Sequence, residues 1–139
     1  MTETDAPPVY PLGENALESL KAASGKPLDE ITLQALMEGR LSAGDLRIRG
    51  ETLRQQAEIA RQAGYERLAA NLERAAELAR VEDAELLAMY EALRPGRSTH
   101  AELIALAERL ENEYRAPLTA KFIHQAAEVY AKRGLVSNK

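Results

Sequence analysis

Few side chains in this sequence could do covalent chemistry. There are two histidines, no cysteine, and serines only at Ser19, Ser24, Ser42, Ser98 and Ser137. His124 and Glu128 stand four residues apart, a spacing that puts two potential metal ligands on one helix face. Zinc needs three or four convergent ligands, and neither a cysteine nor a third histidine exists to complete the set, so the pair reads as a helix-surface residue beside a carboxylate. Acidic residues cluster as Glu73 with Glu77, Glu82 with Asp83 and Glu85, and Glu108 with Glu111 and Glu113. Acid–base catalysis wants two such groups in different environments facing one cleft. Here most lie three or four residues from an arginine, as in Glu58 with Arg61 and Arg74 with Glu77, the pattern of a solvated helix face. None of the serines sits in a G-x-S-x-G elbow, Ser98 fits a helix start, and no phosphate-cradling glycine motif occurs.

The arginines Arg47, Arg49, Arg54, Arg61, Arg67, Arg74 and Arg80 form a ladder that could meet anions. Glu51, Glu58, Glu66, Glu73 and Glu77 interleave with them and cancel the field, and the net charge is −4. That balance disfavours nucleic acid and anionic membrane as main partners. Arginine-rich patches also serve protein interfaces. The residues alone favour protein contact or surface pairing over nucleic acid; the alternative function is a self-contained helical interaction module, with nucleic acid as one partner it could take.

The elements that would position these groups are helical. The 139 residues are one domain by length, with 45% hydrophobic residues but only 4% aromatic, no Trp and one Phe. Ligand pockets are usually lined by large apolar and aromatic groups, so the composition argues mildly against an independent active site. No apolar run reaches the roughly 18 residues a bilayer span needs, and the acidic, Pro-containing start MTETDAPPVYPLG lacks the marks of a secretion signal. A cytoplasmic location is expected.

Pro7, Pro8, Pro11 and Gly13 oppose regular structure at the N-terminus. After the Gly25-Lys26-Pro27 punctuation, the pattern predicts a short helix burying Ile31, Leu33, Leu36 and Met37 and stopped by Gly39. Residues 41–49 read as a connector with one helical turn. Leu53, Ala57 and Ala60 define one face of a helix ending near Gly64, and Leu68, Leu72, Ala75, Ala76 and Ala79 a face of the next. A third helix is expected from about Asp83, acting as cap, with Leu86, Leu87, Tyr90 and Leu93 inward. Thr99 and Glu102 form a capping box for a fourth that buries Leu103, Leu106, Ala107 and Leu110. The last starts at Pro117 and turns Leu118, Phe122, Ala126, Val129 and Tyr130 inward. The fold class is all-α: a compact helical domain of about five helices, residues 29–139, preceded by an extended N-terminal arm, residues 1–28.

Four strings occur in a telling order: GKPLDEITLQALMEGRLSAGDLRIRGETLRQQAEIARQAG from Gly25 to Gly64, ERAAEL from Glu73, ALRPGRST from Ala92 and AAEVY from Ala126. Together they resemble the small subunit of adenosylcobalamin-dependent diol and glycerol dehydratases, over roughly nine-tenths of the chain. The resemblance implies a non-catalytic subunit of a hydro-lyase that turns a diol or glycerol into an aldehyde plus water. It further implies that the adenosylcobalamin and the radical chemistry belong to a large TIM-barrel subunit and a medium one, in a dimer of heterotrimers. It implies no catalytic, cofactor or metal residue in this chain. By motif, it suggests partner contacts at Tyr10, Pro11 and Leu12, at Lys26, Pro27 and Leu28, at Arg47 and Arg49, and at Arg94 and Arg97. Turn chemistry, caps and internal ion pairs would account for the same residues. Gly96 departs from the aromatic that relatives tend to carry in the ALRP-x-RS string. About nine residues precede Tyr10, where microcompartment-associated relatives often have a longer amphipathic extension, so microcompartment targeting is not expected from this chain.

Overall fold

The computed structural model describes residues 7–138; the first six residues of the expected arm lie outside them. Two compact units result, one ending at Ala79 and the other beginning at Arg80. All regular elements among the described residues are helical, apart from one isolated antiparallel bridge between Lys21 and Pro27.

In the first unit, residues 7–11 form no regular element and lead into α1 (Leu12–Asn15), followed by a 3-10 turn at Leu17–Ser19. Leu12, Leu20 and Ala22 are buried, so this stretch is anchored by its apolar side chains. A loop then closes on itself: Ala22 N donates to Lys26 O at 2.9 Å, and Leu28 N to Leu20 O at 3.0 Å. After a 3-10 turn at Leu28–Glu30 comes α2 (Leu33–Met37), capped by Thr32, whose Oγ1 accepts from Ala35 N at 3.1 Å. The connector holds a 3-10 turn, Ala43–Leu46, and then α3 (Gly50–Gln62) and α4 (Glu66–Leu78) form a hairpin. Gly39 and Gly64 take φ of 71° and 83°, left-handed conformations that only glycine adopts without strain, and each lies where the preceding helix ends.

Between α3 and α4 the contact is made largely by alanine: Ala57, Ala60 and Ala69 are buried, with Leu72 packed against them. Small side chains let the two backbones approach closely, which is how a chain with few aromatics builds a core.

The second unit contains α5 (Asp83–Ala92), α6 (His100–Asn112) and α7 (Pro117–Arg133). Thr99 and Glu102 form the expected capping box: Thr99 N donates to Glu102 Oε2 at 2.8 Å, and Glu102 N to Thr99 Oγ1 at 3.2 Å. Pro117 occupies the first turn of α7, where its missing amide hydrogen costs nothing. Leu103, Leu106, Ala107 and Leu110 of α6 are buried as the pattern predicted, and α6 packs with α7. The C-terminal tail closes on the loop before α6: Gly96 N donates to Leu135 O at 2.7 Å, and Ser137 N to Ser98 O at 2.8 Å.

Several predicted inward faces point the other way. In α2, Leu33 and Met37 are 72% and 80% exposed and Leu36 is also exposed, whereas Ala35 is 1% exposed. Five helical residues are too few to bury a stripe, and the Thr32 cap fixes the rotation so that Ala35 turns in. On α4, Ala76 is buried as expected and Leu72 packs against the core, but Leu68 and Ala75 are exposed and Ala69 is buried. Leu87 and Tyr90 are exposed and Met89 takes the buried position on α5. On α7 the buried set is Thr119, Ala120, Ile123 and Ala127, and Leu118, Phe122 and Val129 are exposed. Two faces of one helix can both carry helical periodicity. Close approach of helices selects the face with small side chains, which periodicity does not reveal. Glu82, not Asp83, is the N-cap residue of α5, and Asp83 is the first helical residue.

Candidate functional site

The histidines do not converge. His100 Nε2, at the start of α6, lies 2.9 Å from Glu128 Oε1 on α7. Glu128, read from its spacing as a neighbour of His124, therefore meets the other imidazole. Among the described residues no group of three or more His, Cys, Asp and Glu could hold a metal ion.

Several carboxylates among the described residues pair with arginines. Arg61 is bound by Glu73 and by Glu58 at 2.8 Å, with Glu66 at 3.9 Å. These partners, Glu73 first and then Glu58, raise the Arg61 pKa and keep its charge neutralised. Arg109 is held by Glu85 at 2.6 Å, which raises its pKa in the same way, and by Glu113 at 3.6 Å. Arg49 meets Glu51 at 3.3 Å. Arg74 donates to Asn71, and Glu77, expected on the solvated face, is buried instead. Within the ladder, Arg49 and Arg61 thus carry acidic partners, which a phosphate backbone would have to displace.

A tighter polar cluster forms around Asp45, which the spacing of chemical residues did not single out. Its Oδ2 accepts from Ser42 N at 2.7 Å and Ser42 Oγ at 3.0 Å, and its Oδ1 from Ser24 Oγ at 2.7 Å. Lys26 Nζ lies 3.2 Å from Oδ2 and donates to Arg40 O at 2.7 Å. The Ser42 amide, then the Ser24 hydroxyl, hold the Asp45 carboxyl well below the usual carboxylate range, against the opposing effect of its burial. The signal for this cluster is present in the sequence as the S-x-x-D spacing of Ser42 and Asp45, a capping-box pattern.

The first unit carries an apolar groove of about 980 Å³. Its lining draws on α1, the Lys21–Pro27 loop, the connector and the α3–α4 hairpin. Four of the suggested contact residues converge there: Tyr10, Leu12, Leu28 and Arg47. Tyr10, joined to Pro11 by a cis peptide bond, and Leu28 are exposed, whereas Leu12 is buried. Pro11, Lys26, Pro27 and Arg49 do not line the groove, and Lys26 is spent on Asp45. Arg94 and Arg97 lie in the second unit, exposed, and share Glu91: Arg94 Nη1 is 3.0 Å from both carboxylate oxygens and Arg97 Nε is 3.2 Å from one. Arg94 is the chief cause of a lowered Glu91 pKa. Beside them Ser98 is buried and donates to Ala92 O at 2.8 Å, and Tyr130 donates its hydroxyl to Leu93 O at 2.8 Å. The ALRPGRST string therefore builds the end of α5 and the start of α6.

The fold and groove define a class: an all-α protein that carries an apolar groove and, among its described residues, no group of side chains able to hold a metal ion. The dehydratase small-subunit family model matches residues 6–137. The chain is 50% identical over 124 residues to a propanediol dehydratase small subunit of Citrobacter freundii, covering 89% of this chain and 72% of the relative. It is 49% identical, with the same coverage, to a propanediol dehydratase small subunit of Salmonella typhimurium. This chain belongs to the dehydratase small-subunit family.

Proposed function

We propose that this chain is the non-catalytic small subunit of an adenosylcobalamin-dependent dehydratase, a hydro-lyase that converts 1,2-propanediol or glycerol to an aldehyde and water. The observation that carries the reading is the half-identity to propanediol dehydratase small subunits over 89% of the chain. Its partners are a large barrel subunit, which performs the radical chemistry, and a medium subunit, with two heterotrimers in the cytoplasmic holoenzyme. Adenosylcobalamin, held by those partners, supplies the radical that starts the reaction. The groove lining offers that cofactor little: among the described residues it contains no histidine, and its carboxylate, Asp45, already accepts from Ser24 and Ser42 and pairs with Lys26. The role left to this chain is assembly and stability of the complex. Residues 1–28 act as a contact arm ahead of the helical domain 29–139. Tyr10, Pro11, Leu28, Arg47, Arg49, Arg94 and Arg97 contribute surface to the partners, with buried Leu12 anchoring the arm and Lys26 and Pro27 holding the turn that presents it.

Affinity purification of the tagged chain from its own cells tests this. Co-recovery of a large and a medium subunit, with aldehyde formation from 1,2-propanediol that requires added adenosylcobalamin, is expected. The isolated chain is expected to retain no cobalamin. Recovery of the chain alone, folded and monodisperse, would overturn the reading.

A further inference from the structure

We propose that residues 135–137 form a strap that locks the turn between α5 and α6 and, by binding the residues on either side of Arg97, sets where that arginine stands. All of these residues belong to the second unit. Arg97 N donates to Arg94 O at 3.1 Å and closes a turn. Pro95 and Gly96, the latter with φ of 76°, take its two central positions, a pairing suited to a tight turn. The Gly96 amide takes no part in the bond that closes the turn, and Leu135 O accepts from it at 2.7 Å. Two residues on, Ser98 O accepts from Ser137 N at 2.8 Å. Strap and turn thus meet at 96 with 135 and at 98 with 137, one bond on each side of Arg97.

The strap is itself held at its root. Gly134, with φ of 67°, ends α7, and Leu135 N then donates to Tyr130 O at 2.9 Å. Tyr130 also gives its hydroxyl to Leu93 O, and Ser98 gives its own to Ala92 O, each at 2.8 Å. Tyr130 and Ser98 therefore each tie the strap to a carbonyl at the end of α5. Leu135, Val136 and Ser137 are half-buried and Ser98 is buried, so these bonds are partly shielded from water. Arg94 does not need the device, because it lies three residues from Glu91, a spacing that helical geometry brings together. Arg97 lies six residues from Glu91 and past the helix, and its Nε comes within 3.2 Å of Glu91 Oε1 because the turn folds the chain back. Exposed ion pairs of this kind contribute little by themselves. The backbone bonds to 135 and 137, not the ion pair, are what fix the turn. The consequence for assembly rests on the subunit reading above, in which Arg97 meets a partner.

The test compares the full chain with one shortened to end at Gly134 and with Ser137→Pro, which removes the amide donor of the second bond and leaves the tail in place. Amide hydrogen exchange is expected to show Gly96 and Ser137 protected in the full chain. In both variants the Gly96 amide should exchange about tenfold faster, the scale set by one backbone hydrogen bond. The amides of Leu106 in α6 and Ile123 in α7 should keep their protection, because the opening is local. An unprotected Gly96 in the full chain, unchanged exchange there in both variants, or equal acceleration through α6 and α7 would overturn the strap. In the assembled enzyme, shortening and Arg97→Ala are each expected to weaken retention of the chain by at least about fivefold, and the two together no further, since they act through one contact. A loss from shortening that is as large in the Arg97→Ala background as in the wild type, or no loss from Arg97→Ala, would overturn the positioning of Arg97. Failure of the full chain to assemble with any subunit would overturn the subunit reading, while the exchange rates still decide the strap.

Discussion

Lys26 Nζ lies 3.2 Å from Asp45 Oδ2 and 2.7 Å from the carbonyl oxygen of Arg40, so a lysine suggested as a partner contact ties two stretches of its own unit together. With Ser24 and Ser42, it surrounds Asp45 with donors. The cluster fixes the loop at residues 21–27 against the connector, and both line the groove. A basic residue in a family motif can thus act by shaping a surface from within its own unit.

The Asp45 cluster gives the chain a defined acid sensitivity. Its folded pKa is depressed below the unfolded value of about 3.9. Its contribution to stability is therefore full above that value and is lost as pH falls through the folded one. Asp45→Asn is expected to be less stable than wild type at pH 7 and pH 5, with the gap closing below about pH 4 as the wild-type carboxylate protonates. Urea unfolding at a series of pH values checks this; a gap that stays constant down to pH 2 would contradict it.

Gly50 opens α3 against the backbone of α4. A methyl group added at its α-carbon would sit 3.0 Å from the Ala76 carbonyl oxygen, a backbone atom with little freedom to move. Gly50→Ala is expected to lower stability by about 1–3 kcal/mol, the usual cost of overpacking, outweighing the helix propensity alanine brings. Gly13→Ala, with nothing within 4 Å, is the control and should not destabilise. Denaturant midpoints of the two variants decide the matter.

The capping box at Thr99 should carry its ordinary weight. Thr99→Ala removes the acceptor for Glu102 N and should cost about 1 kcal/mol. Leu103→Ala, one turn further and almost wholly buried, should cost about 2–5 kcal/mol. Equal losses in the two variants would show that the α6 core is looser than its burial indicates.

On α2, the two substitutions that the apolar pattern ranks as severe and mild should exchange places. Met37→Ser is expected within about 0.5 kcal/mol of wild type in the isolated chain, since the side chain is already in water. Ala35→Leu, at a site with no room, should destabilise by about 1–3 kcal/mol. Thermal melts of the two purified variants would show the order directly.

Where a helix starts and stops is written locally, and there sequence and structure agree closely. Thr99 with Glu102, Pro117, and the glycines at 39 and 64 each act within one turn of their own position. The family, too, is legible in the order of four strings, and 50% identity to a small subunit confirms it. Which face of a helix turns inward was partly legible. It was right on α6, where one face alone is strongly apolar, and on α3, where Leu53, Ala57 and Ala60 are buried.

On α2, α5 and α7 the larger apolar residues, Met37, Leu87 and Phe122, were expected inside and lie outside. The groove was not legible as a shape. Tyr10, Leu28, Arg47 and Tyr65 are far apart along the chain, and no local pattern says that they share one opening. Caps, breaks and helical periodicity depend on neighbours in sequence, so the amino-acid order by itself determined the helical class and most helix ends. Burial and concavity depend on which backbones approach most closely. That was decided only in the tertiary structure, by alanines small enough to let helices meet and by an Asp45 cluster that binds a loop to a connector about twenty residues away.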